Sequence, residues 1–332
     1  MTEPKSITPQ PFLHGNGLAI SHLQFMFRAG VTSGDVIACV GRVWESAIVG
    51  DDDPTTERSW GRTREPEYGA ASGSIVVGFR PEFWARVDPG GVPANLHGLA
   101  EDLHGIDGSV APATQRDLWI WVNQSSADRL WDSVRKVRFA LERVADLVEA
   151  RDCFTYHNSL TLDGFVDGIG NPSSFRSPRV TVIAPGKPGE GGTTVLVQKW
   201  LMEVEKLRAL TLREAEDVYG RSKLKSHKMS PMPERSHVAR NQFYDAQGGT
   251  IDIVRRNAYF GDTQEAGVMF VGFSDDIDVT FGMLRQMYGV GPDGIAKTDA
   301  LLDYSRAVSG AIYFVPSIEA LERAGVVVED QP

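Results

Sequence analysis

The apolar pattern changes period in a set order along the first half of the chain, and that order restricts the fold more than any single residue does. Leu18 to Phe27 is dense in apolar residues and ends at Gly30, which suits a strand. From Val36 to Ile48 the positions Val36, Ile37, Val40, Val43, Trp44, Ala47 and Ile48 switch to helical spacing with one buried stripe. Asp35 stands at the expected N-cap. The run Asp51-Asp52-Asp53-Pro54 ends that helix; its composition could hold a metal, but a solvated helix-end loop is the simpler expectation. Ser74 to Phe79 is a second strand, residues 88–115 are a loop rich in Gly, Pro and His, and Asp117 to Asn123 is a third strand. Ala127 to Val148 then carries an amphipathic helix through Leu130, Trp131, Val134, Val137, Leu141, Val144 and Val148. Strand, helix, strand, loop, strand, helix is the order of a ferredoxin-like α+β unit.

The second half repeats the theme. Val195 to Lys199 is a strand, Leu201 to Leu210 and Leu212 to Tyr219 are helical, and Val268 to Phe273 echoes Ile75 to Phe79. Ile277 to Tyr288 is helical, and Ala311 to Val315 is a last strand closed by Pro316. The expected architecture is α+β: two ferredoxin-like halves, each an antiparallel sheet with helices, divided near Ala150 to Asp152 into 1–150 and 151–332.

Composition narrows the setting. Apolar residues make up 42% of the 332, enough for substantial cores, and the net charge of -10 argues against nucleic acid or an anionic membrane as partner. Cys39 and Cys153 fit neither CxxC nor CxxCH, so neither a zinc knuckle nor a covalently attached c-type haem is expected, and two free thiols suit a reducing compartment. The first residues show no signal-peptide pattern and no run is long enough for a membrane span. The expectation is a soluble cytoplasmic protein.

Three segments of the second half do not look like packing material. Leu162 to Pro172 holds Gly164, Gly168 and Gly170 before Asn171-Pro172, the pattern of a tightly turned loop that lets backbone approach a bulky ligand. Asp167 in that loop is either a turn aspartate bonding its own backbone or a partly desolvated proton shuttle. Arg235 to Asn241 contains His237, one of seven histidines; with neither HExxH nor paired-His spacing, zinc is poorly supported, whereas one imidazole can be the only protein ligand to a haem iron. Ile251 to Gly261 runs an apolar strand into Arg255 and Arg256, either solvated or aimed at an anion.

Together these segments resemble the dye-decolourising haem peroxidases, most nearly their compact bacterial class. The Gly-x-x-Asp-Gly loop of that family is matched by Gly164-Phe165-Val166-Asp167-Gly168, its Ser-His-Val motif by Ser236-His237-Val238, and its Ile-Val-Arg by Ile253-Val254-Arg255. Gly220-Arg221-Ser222-Lys223, Thr298 to Tyr304 and Ser309 to Ser317 resemble further family segments, so the likeness runs from about Ser74 to Ser317 in the family's order.

The resemblance implies a dimeric α+β barrel fold, one haem b per chain, and oxidation of aromatic donors such as dyes and phenols by hydrogen peroxide through a ferryl-haem intermediate. By the same resemblance His237 ligates iron, Asp299 accepts its other ring proton, and Asp167 and Arg255 act on peroxide. Arg221, Asn257, Asn171 and Phe260 are counted with the haem-binding residues. Trp131, Trp200, Tyr259 and Tyr304 are candidate electron relays, and a homo-oligomer is left open. The alternative is a haem-binding or haem-iron handling protein of the same superfamily with little turnover.

One departure bears on donors: the family usually carries Thr-Glu before Asn-Pro, and this chain has Ile169-Gly170. Manganese prefers hard oxygen ligands, so saturable Mn²⁺ oxidation is expected to be weak or absent. Steady-state kinetics with Mn²⁺ as sole donor test this, and efficient turnover would place the metal on another acidic cluster.

Overall fold

A computed structural model describes residues 7–46, 73–245 and 247–326. The first half runs β1 (Ala19–Phe27), α1 (Ser33–Ser46), β2 (Ser74–Phe79), α2 (Pro81–Val87), the small hairpin β3 (Leu103–His104) and β4 (Val110–Ala111), β5 (Leu118–Gln124), α3 (Ala127–Leu141) and β6 (Ala145–Phe154). The second runs α4 (Ser177–Thr181), β7 (Thr193–Met202), α5 (Val204–Ala209), α6 (Leu212–Tyr219), α7 (His237–Arg240) and the hairpin β8 (Phe243–Tyr244) and β9 (Thr250–Ile251). It continues through β10 (Val254–Arg255), β11 (Ala258–Gly261), β12 (Ala266–Ser274), α8 (Ile277–Met287), β13 (Ser305–Ala307), β14 (Ala311–Val315) and α9 (Ile318–Arg323).

Each half forms a four-stranded antiparallel sheet in the same spatial order, β6-β1-β5-β2 and β11-β12-β7-β14, with the fourth strand beside the first in both. This is the ferredoxin-like order expected from the periodicity. The halves then share edges: Tyr259 of β11 pairs with Phe154 of β6, and Phe314 of β14 pairs with Phe79 of β2. The eight strands therefore close into a barrel, which removes the free edges that two separate sheets would leave.

Both seams are thin, and side chains reinforce them. At β2–β14 the buried Gln10 amide donates to the carbonyls of Val77 and Pro316 and accepts from the amide of Val77. Near β6–β11, Arg151 pairs with Glu265 at 2.6 Å, Lys199 joins at 2.9 Å, and both cations lie over the ring of Phe260. Strand alternation sorts the core into two layers. Ile20, Val76, Trp119, Trp121, Val197, Val271, Phe273 and Tyr313 fill the barrel, while Leu23, Val77, Ile120, Leu196 and Phe314 face α1, α2, α3 and α8 outside it.

Several local expectations are corrected. The stripe assigned to one helix over Ala127 to Val148 divides: α3 stops at Leu141, and β6 begins at Ala145 with alternating burial. Val144 and Val148 fall on the helical period by coincidence, and Trp131 is 64% exposed rather than on the buried stripe. The helical reading from Leu201 also starts late, because β7 continues to Met202 and α5 begins at Val204. At α1 the cap is Thr32, not Asp35: the Thr32 hydroxyl accepts from the amide of Asp35, whose carboxylate accepts from the amide of Thr32. The proposed division near Ala150 to Asp152 lies inside β6, and the run Asp51 to Pro54 lies outside the described residues.

A titratable imidazole is sealed in the barrel. His22 is fully buried beside Trp119 and Trp121 and accepts at Nδ1 from the Trp119 indole at 3.3 Å. Burial lowers its pKa from 6.5 to about 3. The unfolded chain therefore takes up a proton at His22 that the folded chain refuses, so this contribution to stability is full above pH 6.5 and is lost as pH falls toward 3. Denaturant titrations should show stability dropping in that window by up to ~1.4 kcal/mol per pH unit from this group. His22→Leu should flatten the slope by that amount, and an unchanged slope would show that His22 is protonated in the folded state.

Candidate functional site

Outside the barrel, the second half encloses a deep cavity between β7, β12, α6, α7, α8 and the glycine loop. Leu196, Trp200, Val268, Phe270, Met283 and Met287 give it an apolar lining, and His237, Asp167, Arg255, Asn257, Arg221 and Tyr259 also reach it. The structure thus brings together the three motifs that lie 70 and 18 residues apart in the chain, Asp167 to His237 and His237 to Arg255.

His237 is the first residue of α7. Ser236 caps that short helix, its hydroxyl accepting from the amide of Ala239. Imidazole Nδ1 lies 2.7 Å from Oδ2 of Asp299, which is fully buried. A carboxylate can only accept here, so Nδ1 carries the proton and Nε2 keeps its lone pair. Nε2 has no hydrogen-bond partner among the described residues. Asp299 is held in turn by donation from the Leu301 amide and from Nδ2 of Asn241, which also donates to the carbonyl of His237. The Ala300 amide donates to the carbonyl of Arg235 and ties the two segments together.

Asp167 sits in the turn expected of it. Gly168 adopts φ +72°, a left-handed conformation that favours glycine, and its amide donates to Oδ1 of Asp167 at 2.7 Å. The carboxylate bonds its own turn, and Asp167 also lines the cavity. Asn257 Nδ2 donates to both carboxylate oxygens at 3.1 and 3.2 Å, and the Tyr259 hydroxyl donates to Oδ2 at 2.8 Å. Burial, and then the Asp167 charge, push the Tyr259 phenol well above its ordinary pKa.

Arg255 lies beside this carboxylate. Its backbone is clamped by Asn171, which donates to the carbonyl and accepts from the amide, both at 2.9 Å, so the glycine loop is fastened to β10. The guanidinium makes no hydrogen bond among the described residues. Burial draws it below its ordinary pKa, and nearby Asp167 opposes that. A Cβ at Gly170 would stand 2.5 Å from Nη2 of Arg255. A side chain at 170 would therefore require the end of the Arg255 side chain to shift.

Other expected residues are placed less uniformly. Arg221 reaches the cavity, and Nη1 donates to the carbonyl of Ser226. Asn171 acts on the Arg255 backbone, and Asp299 acts through His237. Phe260 does not line the cavity: strand alternation turns it into the barrel under Arg151 and Lys199. Among the relay candidates, Trp200 and Tyr259 line the cavity, Tyr304 packs near Tyr219, and Trp131 is exposed on α3. Motif reading missed Asn241, and it missed the paired phenols of Tyr259 on Asp167 and Tyr219 on Asp163. Asn241 lies four residues after His237, one helical turn on, and that spacing was the available signal.

A closed α+β barrel with an apolar cavity, one imidazole and an Asp–Arg pair defines a class of cofactor-dependent enzyme. Comparison with known proteins gives the family. The Dyp-type peroxidase C-terminal family model matches residues 158–320. A dye-decolorizing peroxidase of Mycolicibacterium paratuberculosis is 34% identical over 254 residues, covering 75% of this chain and 71% of the relative. One of Rhodococcus erythropolis is 34% identical over 264 residues, covering 78% and 75%. The structure of DyPB from Rhodococcus jostii superposes with a TM-score of 0.80 at 30% identity, over 95% of this chain and 97% of that one. Variants of that Rhodococcus jostii protein have been solved in complex with heme. The chain belongs to the dye-decolourising peroxidase family and is an oxidoreductase acting on peroxide.

Asp299 is the buried hinge of the His237 segment. Asp299→Ala should leave the Leu301 and Asn241 donors without their acceptor, at a cost of about 1–3 kcal/mol for each group left buried and unpaired. It should also free the imidazole to change tautomer. Denaturation and ¹⁵N NMR of the His237 ring check both, and unaltered stability with an unaltered tautomer would mean that Asp299 does not orient the ring.

Proposed function

We propose that this chain uses hydrogen peroxide to oxidise aromatic donors at a haem b held through His237, with Asp167 and Arg255 acting on the peroxide. The observation that carries the reading is His237 itself: its Nδ1 is committed to Asp299 and its Nε2 has no hydrogen-bond partner among the described residues, in the same cavity as Asp167 and Arg255. The lining fits the group. An apolar enclosure suits a flat macrocycle, a lone neutral imidazole suits its iron, and Arg221 and Lys228 supply cations for its carboxylates.

Haem supplies the redox centre that takes two oxidising equivalents from peroxide and passes them on one electron at a time. The protein supplies the rest. Asp299 raises the basicity of the His237 ring by accepting its Nδ1 proton. The Asp167 carboxylate takes the first proton of peroxide and returns it to the departing oxygen, so that water can leave. Asn257, the Gly168 amide and Tyr259 fix its two oxygens so that the proton moves along one line. Arg255, whose guanidinium makes no hydrogen bond among the described residues, stabilises the negative charge that builds as the O–O bond breaks. Asn171 matters by holding the Arg255 backbone. No described helix is long and apolar enough to cross a membrane, and the buried free thiols of Cys39 and Cys153 suit the cytoplasm. Haem-iron handling, the other reading of the motifs, gains no support from the relatives.

His237→Ala should abolish or greatly weaken haem uptake, read from the Soret band of purified protein. Asp167→Ala should slow the reaction with peroxide by roughly 10²–10⁴-fold, and Arg255→Leu by about 10²–10³-fold, in stopped-flow traces. Wild-type rates in both variants would remove them from the peroxide step.

A further inference from the structure

Of the groups that fix Asp167, Tyr259 is the one able to give up an electron as well as a proton. Its hydroxyl donates to Oδ2 at 2.8 Å, and the residue lines the cavity while being only 5% exposed. Such a phenol cannot ionise easily: burial and the neighbouring Asp167 charge hold its pKa well above the usual range. An electron can leave it only if the phenolic proton leaves too, because the oxidised phenol is a strong acid. The acceptor for that proton is already in hydrogen-bond contact.

We propose that Tyr259 is a one-electron donor of this site, working with Asp167 as a proton-coupled pair. The proposal rests on the peroxidase reading above. In the step, Tyr259 passes one electron to the peroxide-oxidised centre. Its O–H bond breaks and the proton forms a new O–H bond on Oδ2 of Asp167, leaving a neutral phenoxyl radical. The centre is reduced by one equivalent. An external aromatic donor then supplies one electron to the radical, and the proton returns from Asp167 to the phenol oxygen, restoring both groups. The timing is consistent: Asp167 has handed its first proton to the departing water and is again a carboxylate when Tyr259 needs a base.

Position supports the role on the surface side. Tyr259 pairs in register with Phe154 across the β6–β11 seam. Residues opposite one another on neighbouring strands share a face of the sheet, and Phe154 is 37% exposed with Tyr156 beside it, ring centroids 6.3 Å apart. An aromatic patch on the surface therefore adjoins the seam position of Tyr259, where a donor too bulky for the cavity can come close. Tyr219 also lines the cavity, but its acceptor Asp163 does not. Asp163 is 6% exposed and receives both the Tyr219 and the Thr161 hydroxyls on Oδ1.

The test is electron paramagnetic resonance of holoenzyme frozen shortly after mixing with one equivalent of hydrogen peroxide and no donor. Wild-type protein should give a tyrosyl signal that narrows when the protein is made with ring-deuterated tyrosine. Tyr259→Phe should lose it, and Tyr219→Phe should keep it. Should Tyr259→Phe fail to fold, 3-fluorotyrosine placed at position 259 alone decides, because a radical there would show fluorine splitting and a radical elsewhere would not. Peroxide consumed without any tyrosyl signal overturns the proposal, as does a signal that survives in Tyr259→Phe or vanishes in Tyr219→Phe. Failure to consume peroxide at all would instead sink the peroxidase reading, and the relay with it.

Discussion

Two single-residue pairings, Tyr259 with Phe154 and Phe314 with Phe79, turn two open sheets into one barrel. Each half alone would expose the unpaired amides and carbonyls of its edge strands. Closure satisfies them and seals an interior of Trp119, Trp121, Phe273 and Tyr313. So little backbone pairing holds each seam that side chains must complete it, which accounts for the buried amide of Gln10 at one and the Arg151–Glu265–Lys199 cluster at the other. Helices α1, α2, α3 and α8 lie on the outer faces of this frame, and the cavity lies on the face of the second half.

The cavity shows the same reliance on a few polar clamps. Asn171 fastens the glycine loop to the backbone of Arg255, and Asp299 fastens the imidazole of His237 to the turn at Ala300. Both clamps act on groups that carry charge or a lone pair into an apolar space, where a misdirected polar group would be costly. Gly170 places no side chain against the end of the Arg255 guanidinium.

Much of this was readable from the chain. The helical and strand periods of α1, α6, α8, β2, β12 and β14 are clean because each packs one face against a core. Reading failed where two periods overlap. Val144 and Val148 continue the stripe of α3 by chance, and with β6 unseen, the strand that joins the halves was hidden. At α1, Thr32 and Asp35 both have cap-forming side chains, and backbone geometry chose the earlier one. The resemblance counts Phe260 with the haem-binding residues, yet alternation along β11 sends it into the barrel.

By itself, the sequence determined the α+β class and the repeat of strands and helices in two halves, because periodicity and local turn chemistry are written in neighbouring residues; Asp167, His237 and Arg255 were singled out by the likeness of their motifs to a family. The tertiary structure alone decided that the halves share two seams and that a phenol from β11 lands on the carboxylate of Asp167, and it supplied the 2.7 Å contact between Asp299 and the His237 imidazole that the resemblance implied. Those are contacts between residues 62 and 92 positions apart. Only the folded path of the chain brings such groups within hydrogen-bond distance, since no local propensity encodes a partner so remote.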